Sequence, residues 1–132
     1  MGPYKNLILW QKAMVLAKDV YDVTSRYPQS EVFGLVSQMR RCAVSIPSNI
    51  AEGYGRATNR DLLHFLHISL GSSNELETQL ILSQQLSFLN EENAEMLLQL
   101  NAQINKMLSS LIYSRSGTPS GENDMSPQNL KP

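Results

Sequence analysis

Proline is scarce through the first 116 residues and frequent afterwards. That stretch contains only Pro3, Pro28 and Pro47, with almost no alternating runs of Val, Ile and Thr. Strand-built domains need such alternation, closed off by turn residues every few positions. Here apolar residues recur instead at intervals of three and four, the spacing that lines up one face of a helix. One segment carries Leu62, Leu66, Leu70, Leu76 and Leu80, and a later one Leu97, Leu100, Ile104, Met107, Leu108 and Leu111. The chain reads as all-helical.

Punctuation divides it into four helices. The first spans about Asn6 to Arg26 and stops before Tyr27-Pro28, because proline disfavours helix at the preceding residue. The second opens with Ser30 as N-cap and Glu31 in its first turn, and ends at Gly53 and Gly55. Pro47 lies inside it, and the lost hydrogen bond predicts a kink near Ala43 to Ser48. Thr58-Asn59-Arg60-Asp61 reads as a capping box opening the third helix, which continues to about Leu86. The small residues around Gly71 in that helix predict close approach of a neighbouring backbone, with a hinge as the competing reading. Asn90 caps the fourth helix, which runs to about Tyr113 with Glu91 and Glu92 at its positive dipole end. Short loops force antiparallel neighbours, so residues 1–116 read as an up-down-up-down four-helix bundle. Residues 117–132, rich in Gly and Pro, cannot bury enough apolar surface to offset their ordering entropy and read as a disordered tail.

Composition narrows the function classes. The 132 residues make one domain, and 11 basic against 12 acidic residues exclude binding of nucleic acid by bulk charge alone. The single Cys42 excludes a disulfide framework and a cysteine-based zinc site, and is expected to be a buried small hydrophobe. The opening MGPYKNLILWQK predicts no secretory leader, and no apolar run reaches about 18 residues, so no membrane partner is expected and the expected location is cytoplasmic. Gly53-Tyr54-Gly55 follows a helix and lacks the strand a phosphate loop needs. Asp61, His64 and His67 recur every third residue and could converge on a metal, but two His at i and i+3 with no third strong ligand are usually surface or packing residues, and no Glu-x-x-His pairs occur. No catalytic residue, metal or cofactor is expected.

Charge and polarity mark three candidate surfaces. On the first helix, Trp10, Met14, Ala17 and Tyr21 form the centre of a broad apolar arc, and Leu9, Leu16, Val20 and Val23 extend it to one side. That surplus side, with Leu16 and Val23, is the expected subunit interface of a homo-oligomer. Opposite the core stripe of the second helix, Gln38, Arg41, Ser45, Asn49 and Glu52 form a polar seam suited to another helix or subunit. Glu77 projects inside the core stripe of the third helix and Arg40 borders that of the second, which predicts that they pair in the core, directly or through Glu75 and Arg41. Residues 1–60 carry net +4 and residues 61–132 net −5. The candidate nucleic-acid contacts are Arg56 and Arg60, then Lys5 and Lys12 on the outer face of the first helix, then Arg41.

Several runs also resemble one family. They are Leu9-Trp10-Gln11-Lys12-Ala13, Tyr27-Pro28 with Glu31 and Gly34-Leu35, Gln38-Met39-Arg40-Arg41, Ser45-Ile46-Pro47-Ser48-Asn49-Ile50-Ala51-Glu52-Gly53, and Gly71-Ser72 followed by Glu75-Leu76-Glu77. Over about residues 5–115 the chain is similar to the four-helix-bundle (S23) proteins encoded in intervening sequences of bacterial 23S ribosomal RNA genes. A related branch comprises the accessory variability proteins of diversity-generating retroelements, which bind a reverse transcriptase and nucleic acid. The resemblance implies a ring-shaped homopentamer, no enzyme activity, and RNA, DNA or a protein as partner.

Overall fold

The computed structural model describes residues 3–117. A 3-10 turn, Pro3–Asn6, leads into helix α1 (Ile8–Thr24), followed by α2 (Ser37–Tyr54), α3 (Asn59–Gln85) and α4 (Glu91–Arg115). No strand occurs among the described residues. α1 packs on α2 and α4, and α3 packs on the same two, so the helices close a square of antiparallel neighbours. The expected tail falls almost wholly on residues 118–132, outside the described residues.

Caps form where short polar side chains meet orphan amides. Thr58 Oγ1 accepts from the Asp61 amide at 3.1 Å, and Asn90 Oδ1 from the Asn93 amide at 2.8 Å. At the end of α3 the amides of Ser87 and Phe88 reach back to the carbonyls of Gln84 and Ser83, with Ser87 at φ 63°. Ser30 does not cap α2. Gln29–Glu31 forms a 3-10 turn, and the chain then passes through a widened turn, Val32–Val36, broken at Gly34. Glu31 is the residue whose side chain accepts there, from the Leu35 amide at 3.4 Å. The departure from helical backbone thus lies at Gly34, while α2 runs unbroken through Pro47.

The buried stripes repeat every seven residues. They comprise Leu9, Ala13, Leu16, Val20 and Val23 on α1, and Met39, Ala43, Ile46, Ile50 and Gly53 on α2. On α3 they are Leu62, Leu66, Ser69, Ser73, Leu76, Leu80 and Ser83, and on α4 Ala94, Leu97, Asn101, Ile104 and Leu108. Alternating steps of three and four give 3.5 residues per turn, the seam geometry of coiled-coil-like bundles. This overturns two expectations. Leu16, at 0% exposure, and Val23, at 6%, are core residues and not interface, whereas Met14 and Tyr21 are 45% and 44% exposed. Glu77 is exposed, one position off the seam, because a straight 3.6-residue projection drifts about 20° per heptad. Arg40 pairs elsewhere: its Nε donates to Thr24 Oγ1 at 2.9 Å, Nη2 donates to the Tyr21 carbonyl at 3.3 Å, and its guanidinium lies 4.5 Å from the Tyr21 ring centre.

Close approach involves residues other than Gly71, whose missing side chain would meet nothing within 4 Å. A Cβ on Gly53 would stand 3.0 Å from Leu62 Cδ1 and 3.1 Å from Phe65 Cβ, so this glycine lets the start of α3 close on the end of α2. Ser69 Oγ donates to the Ile46 carbonyl at 2.8 Å, tying α3 to α2 beside Pro47.

Candidate nucleic-acid interface

Antiparallel packing gathers the start of α1, the end of α2, the start of α3 and the end of α4 at one end of the bundle. Dividing each helix at its middle separates the described charges sharply. The half with that end holds Lys5, Lys12, Arg56, Arg60, Lys106 and Arg115 against Glu52 and Asp61. The opposite half holds Lys18, Arg26, Arg40 and Arg41 against eight acids, among them Glu75, Glu77, Glu91, Glu92 and Glu95. A near-neutral chain is therefore strongly polar along its axis.

The basic end is also aromatic. Phe65 is half-buried against the end of α2, where Gly53 leaves room for it. Arg56 lies over its ring at 4.8 Å and donates to Glu52 Oε2 at 2.7 Å. Arg115 stands over the Tyr54 ring at 5.9 Å, while Asn59 Nδ2 donates to the Arg115 carbonyl at 2.7 Å. That last bond fastens the end of α4 to the start of α3. Tyr4 and Trp10 meet edge to face at 5.4 Å near the start of α1. Ion pairing among the described residues is confined to Arg56–Glu52 and Lys18–Asp22, both exposed pairs one helical turn apart, so Lys5 and Arg60 carry unneutralised charge.

Of the five expected cations, Arg56, Arg60 and Lys5 come together at this end. Lys12 is half-buried and donates to Gln103 Oε1 at 3.2 Å. Arg41 sits in the other half, 13 residues up α2 from Tyr54, or about 20 Å at 1.5 Å per residue. Sequence reasoning missed Tyr54, Phe65 and Arg115. Each pairing spans nine positions or more, Arg56 to Phe65 and Tyr54 to Arg115, so no local signal pointed to it.

The polar seam of α2 meets α3 inside the same protomer. Ser45 and Ser72 hydroxyls share a 2.8 Å hydrogen bond, and Asn49 Nδ2 donates to the Ser45 carbonyl at 2.8 Å. Above them Gln38, Arg41, Cys42, Ser45, Ser72 and Glu75 line a groove of about 200 Å³. Burial, together with the Glu75 carboxylate beside it, pushes the Cys42 thiol up to about 11, so it is neutral at physiological pH. Glu52 lies lower on the seam, occupied by Arg56. Asp61, His64 and His67 are exposed, and His64 packs edge-on against Phe65 at 5.2 Å. Among the described residues no three His, Cys, Asp or Glu side chains gather closely enough to hold a metal ion. None of the described helices is long and apolar enough to cross a membrane.

The sequence profile of the 23S rRNA-intervening sequence proteins matches residues 5–110. The chain belongs to that family. A solved structure of a protein of unknown function from the S23 ribosomal protein family of Bacteroides thetaiotaomicron VPI-5482 has the same fold, with a TM-score of 0.73 and 26% sequence identity. The similarity covers 80% of this chain and 98% of that one. No curated protein matches. In this member of the intervening-sequence family, Ser45 bonds to Ser72 across the α2–α3 seam, Asn49 bonds back to Ser45, Ile46 and Ile50 fill the core, and Gly53 admits α3.

Proposed function

We propose that this intervening-sequence protein is a non-enzymatic, self-assembling cytoplasmic bundle that binds RNA or other nucleic acid through its basic end. The observation that carries this reading is the axial separation of charge. Six cations against two acids in one half of the bundle, two of the six laid over aromatic rings, match a polyanion, and the acidic half turns away from it. One protomer offers few phosphate contacts, so assembly matters: in a symmetric ring each cation recurs in every subunit. The ring-shaped homopentamer implied by the resemblance would supply that repetition. Its subunit contacts are assigned to the outer seam of α1, where Met14 and Tyr21 present apolar surface beside half-buried Trp10.

The test is fluorescence anisotropy with mixed RNA and DNA at about 50 mM salt, where counterion release favours binding. Affinity in the micromolar range, falling steeply as salt rises, is expected, and light scattering should report an oligomer. Replacing Arg56 and Arg60 together by Glu should abolish binding and leave the oligomer intact. A wild-type oligomer that binds neither nucleic acid overturns the reading. A protein scaffold is the second reading, favoured by Phe33, which stands 97% exposed at the Gly34 break beside Val32.

A further inference from the structure

We infer that the basic end takes unpaired nucleotides in preference to a duplex, with base faces stacking on its arginine–aromatic pairs. The inference rests on the nucleic-acid reading above and names the ligand class of the same site.

Phosphate binding alone needs cations, and lysines serve it well; it needs no rings. Here two of the three arginines at this end of the bundle are each held over an aromatic ring, Arg56 over Phe65 and Arg115 over Tyr54. Glu52 fixes Arg56 from one side, and the Asn59 bond fixes the backbone that carries Arg115. The Arg56 head is thus held by both a carboxylate and a ring before any ligand arrives, which lowers the entropy cost of stacking a base against it. Arg115 is positioned through its backbone and its contact with Tyr54. Tyr54 and Phe65 are half-buried. Arg60 and Lys5 beside them are unpaired and available to phosphates. Rings and guanidinium planes read the face of a base, which a duplex hides within its stack and a single strand presents.

The test compares four probes of equal length by anisotropy: a single-stranded RNA, the same sequence as DNA, its duplex, and an abasic DNA strand of equal charge. Both single strands should bind at least about fivefold tighter than the duplex and the abasic strand, the gain expected from one stacked base. Arg56→Lys keeps the charge and loses the plane, and should remove most of that preference while leaving the salt slope unchanged. Arg60→Gln should lower the slope by about one phosphate contact and keep the preference. Phe65→Leu should act like Arg56→Lys, with circular dichroism confirming that the helices persist. Equal binding of all four probes overturns base stacking and leaves the nucleic-acid reading standing. Binding confined to the RNA strand overturns it in favour of 2′-hydroxyl recognition. Absence of binding to every probe at about 50 mM salt overturns the reading beneath it.

Discussion

Ser73 and Asn101 exchange two hydrogen bonds across the α3–α4 seam. Ser73 Oγ donates to Asn101 Oδ1 at 2.8 Å, and Asn101 Nδ2 donates to the Ser73 carbonyl at 3.0 Å. Both residues occupy buried seam positions, at 0% and 2% exposure, where leucine would be usual. Asn105 extends the layer by donating to Ser73 Oγ at 3.1 Å and to Asn74 Oδ1 at 2.8 Å. A polar pair inside an apolar seam fixes register, because any slip would bury both groups without partners. Asn101→Ala should therefore cost ~1–3 kcal/mol in denaturant unfolding, the penalty for stranding a buried partner. Asn101→Leu together with Ser73→Ala removes both polar side chains and should recover much of that loss.

The fate of Arg40 and Glu77 yields a contrast. Glu77→Ala touches only an exposed side chain and should change stability by less than about 0.5 kcal/mol. Thr24 is 2% exposed; its hydroxyl donates to the Val20 carbonyl at 2.7 Å and accepts from Arg40. Thr24→Val keeps the shape, removes both bonds, and should cost ~1–2 kcal/mol. Thermal unfolding of the two variants side by side measures the difference.

Helix number and order, and the caps of α3 and α4, were legible because each depends on a few neighbouring residues, whereas the Ser30 cap gave way to the break at Gly34. Thr58 and Asn90 cap as their side-chain chemistry dictates. The choice of buried face required knowing the period. On α1 two parallel seams, Leu9-Ala13-Leu16-Val20 and Trp10-Met14-Ala17-Tyr21, are spaced alike, and the heavier one looks more like core. Small Ala13 is nevertheless fully buried, and Met14 is not, because packing against α2 and α4 chooses the seam. The cations of the candidate site were visible in the sequence, but their rings were not. Arg115 and Tyr54 are 61 positions apart, and only the closure of the bundle brings them together.

Cys42 gives a pH signature. The thiolate is the reactive species, and burial beside Glu75 raises the thiol from 9.0 to about 11. At pH 8 the native protein should react with a thiol reagent about a hundredfold more slowly than the unfolded chain, and the rate should climb about tenfold per pH unit towards 11. The sign for stability follows. The folded value is the higher one, so this contribution is fully present below pH 9 and is lost as pH rises towards 11. Chemical denaturation between pH 8 and pH 11 should show stability falling, and Cys42→Ala should flatten the fall.

Ser87 holds a left-handed backbone at the end of α3 without being glycine. Such a conformation costs an L-residue roughly 1 kcal/mol or more, and glycine nothing comparable. Ser87→Gly should raise the unfolding midpoint, with the hydrogen bond from the Phe88 amide to the Ser83 carbonyl intact.

Gly53 and Gly71 should respond to alanine with opposite signs. Both lie inside helices, where alanine is favoured over glycine by on the order of 1 kcal/mol. At Gly71 a methyl group enters open space, so Gly71→Ala should stabilise by about that amount. At Gly53 the same methyl meets Leu62 Cδ1 at 3.0 Å, Phe65 Cβ at 3.1 Å and the Leu62 carbonyl at 3.3 Å. The leucine tip can turn aside, but the Phe65 Cβ and the Leu62 carbonyl move only with α3 itself. Overpacking of this kind costs ~1–3 kcal/mol, enough to cancel the propensity gain and reverse it. Gly53→Ala should therefore destabilise. Because α3 must retreat, Phe65 leaves its place beneath Arg56, and single-strand affinity should fall along with stability. Calorimetry on both variants tests the sign, and anisotropy with the single-stranded probe tests the coupling. A Gly53→Ala protein that is stabilised like Gly71→Ala would mean that α2 and α3 do not depend on this glycine for their approach.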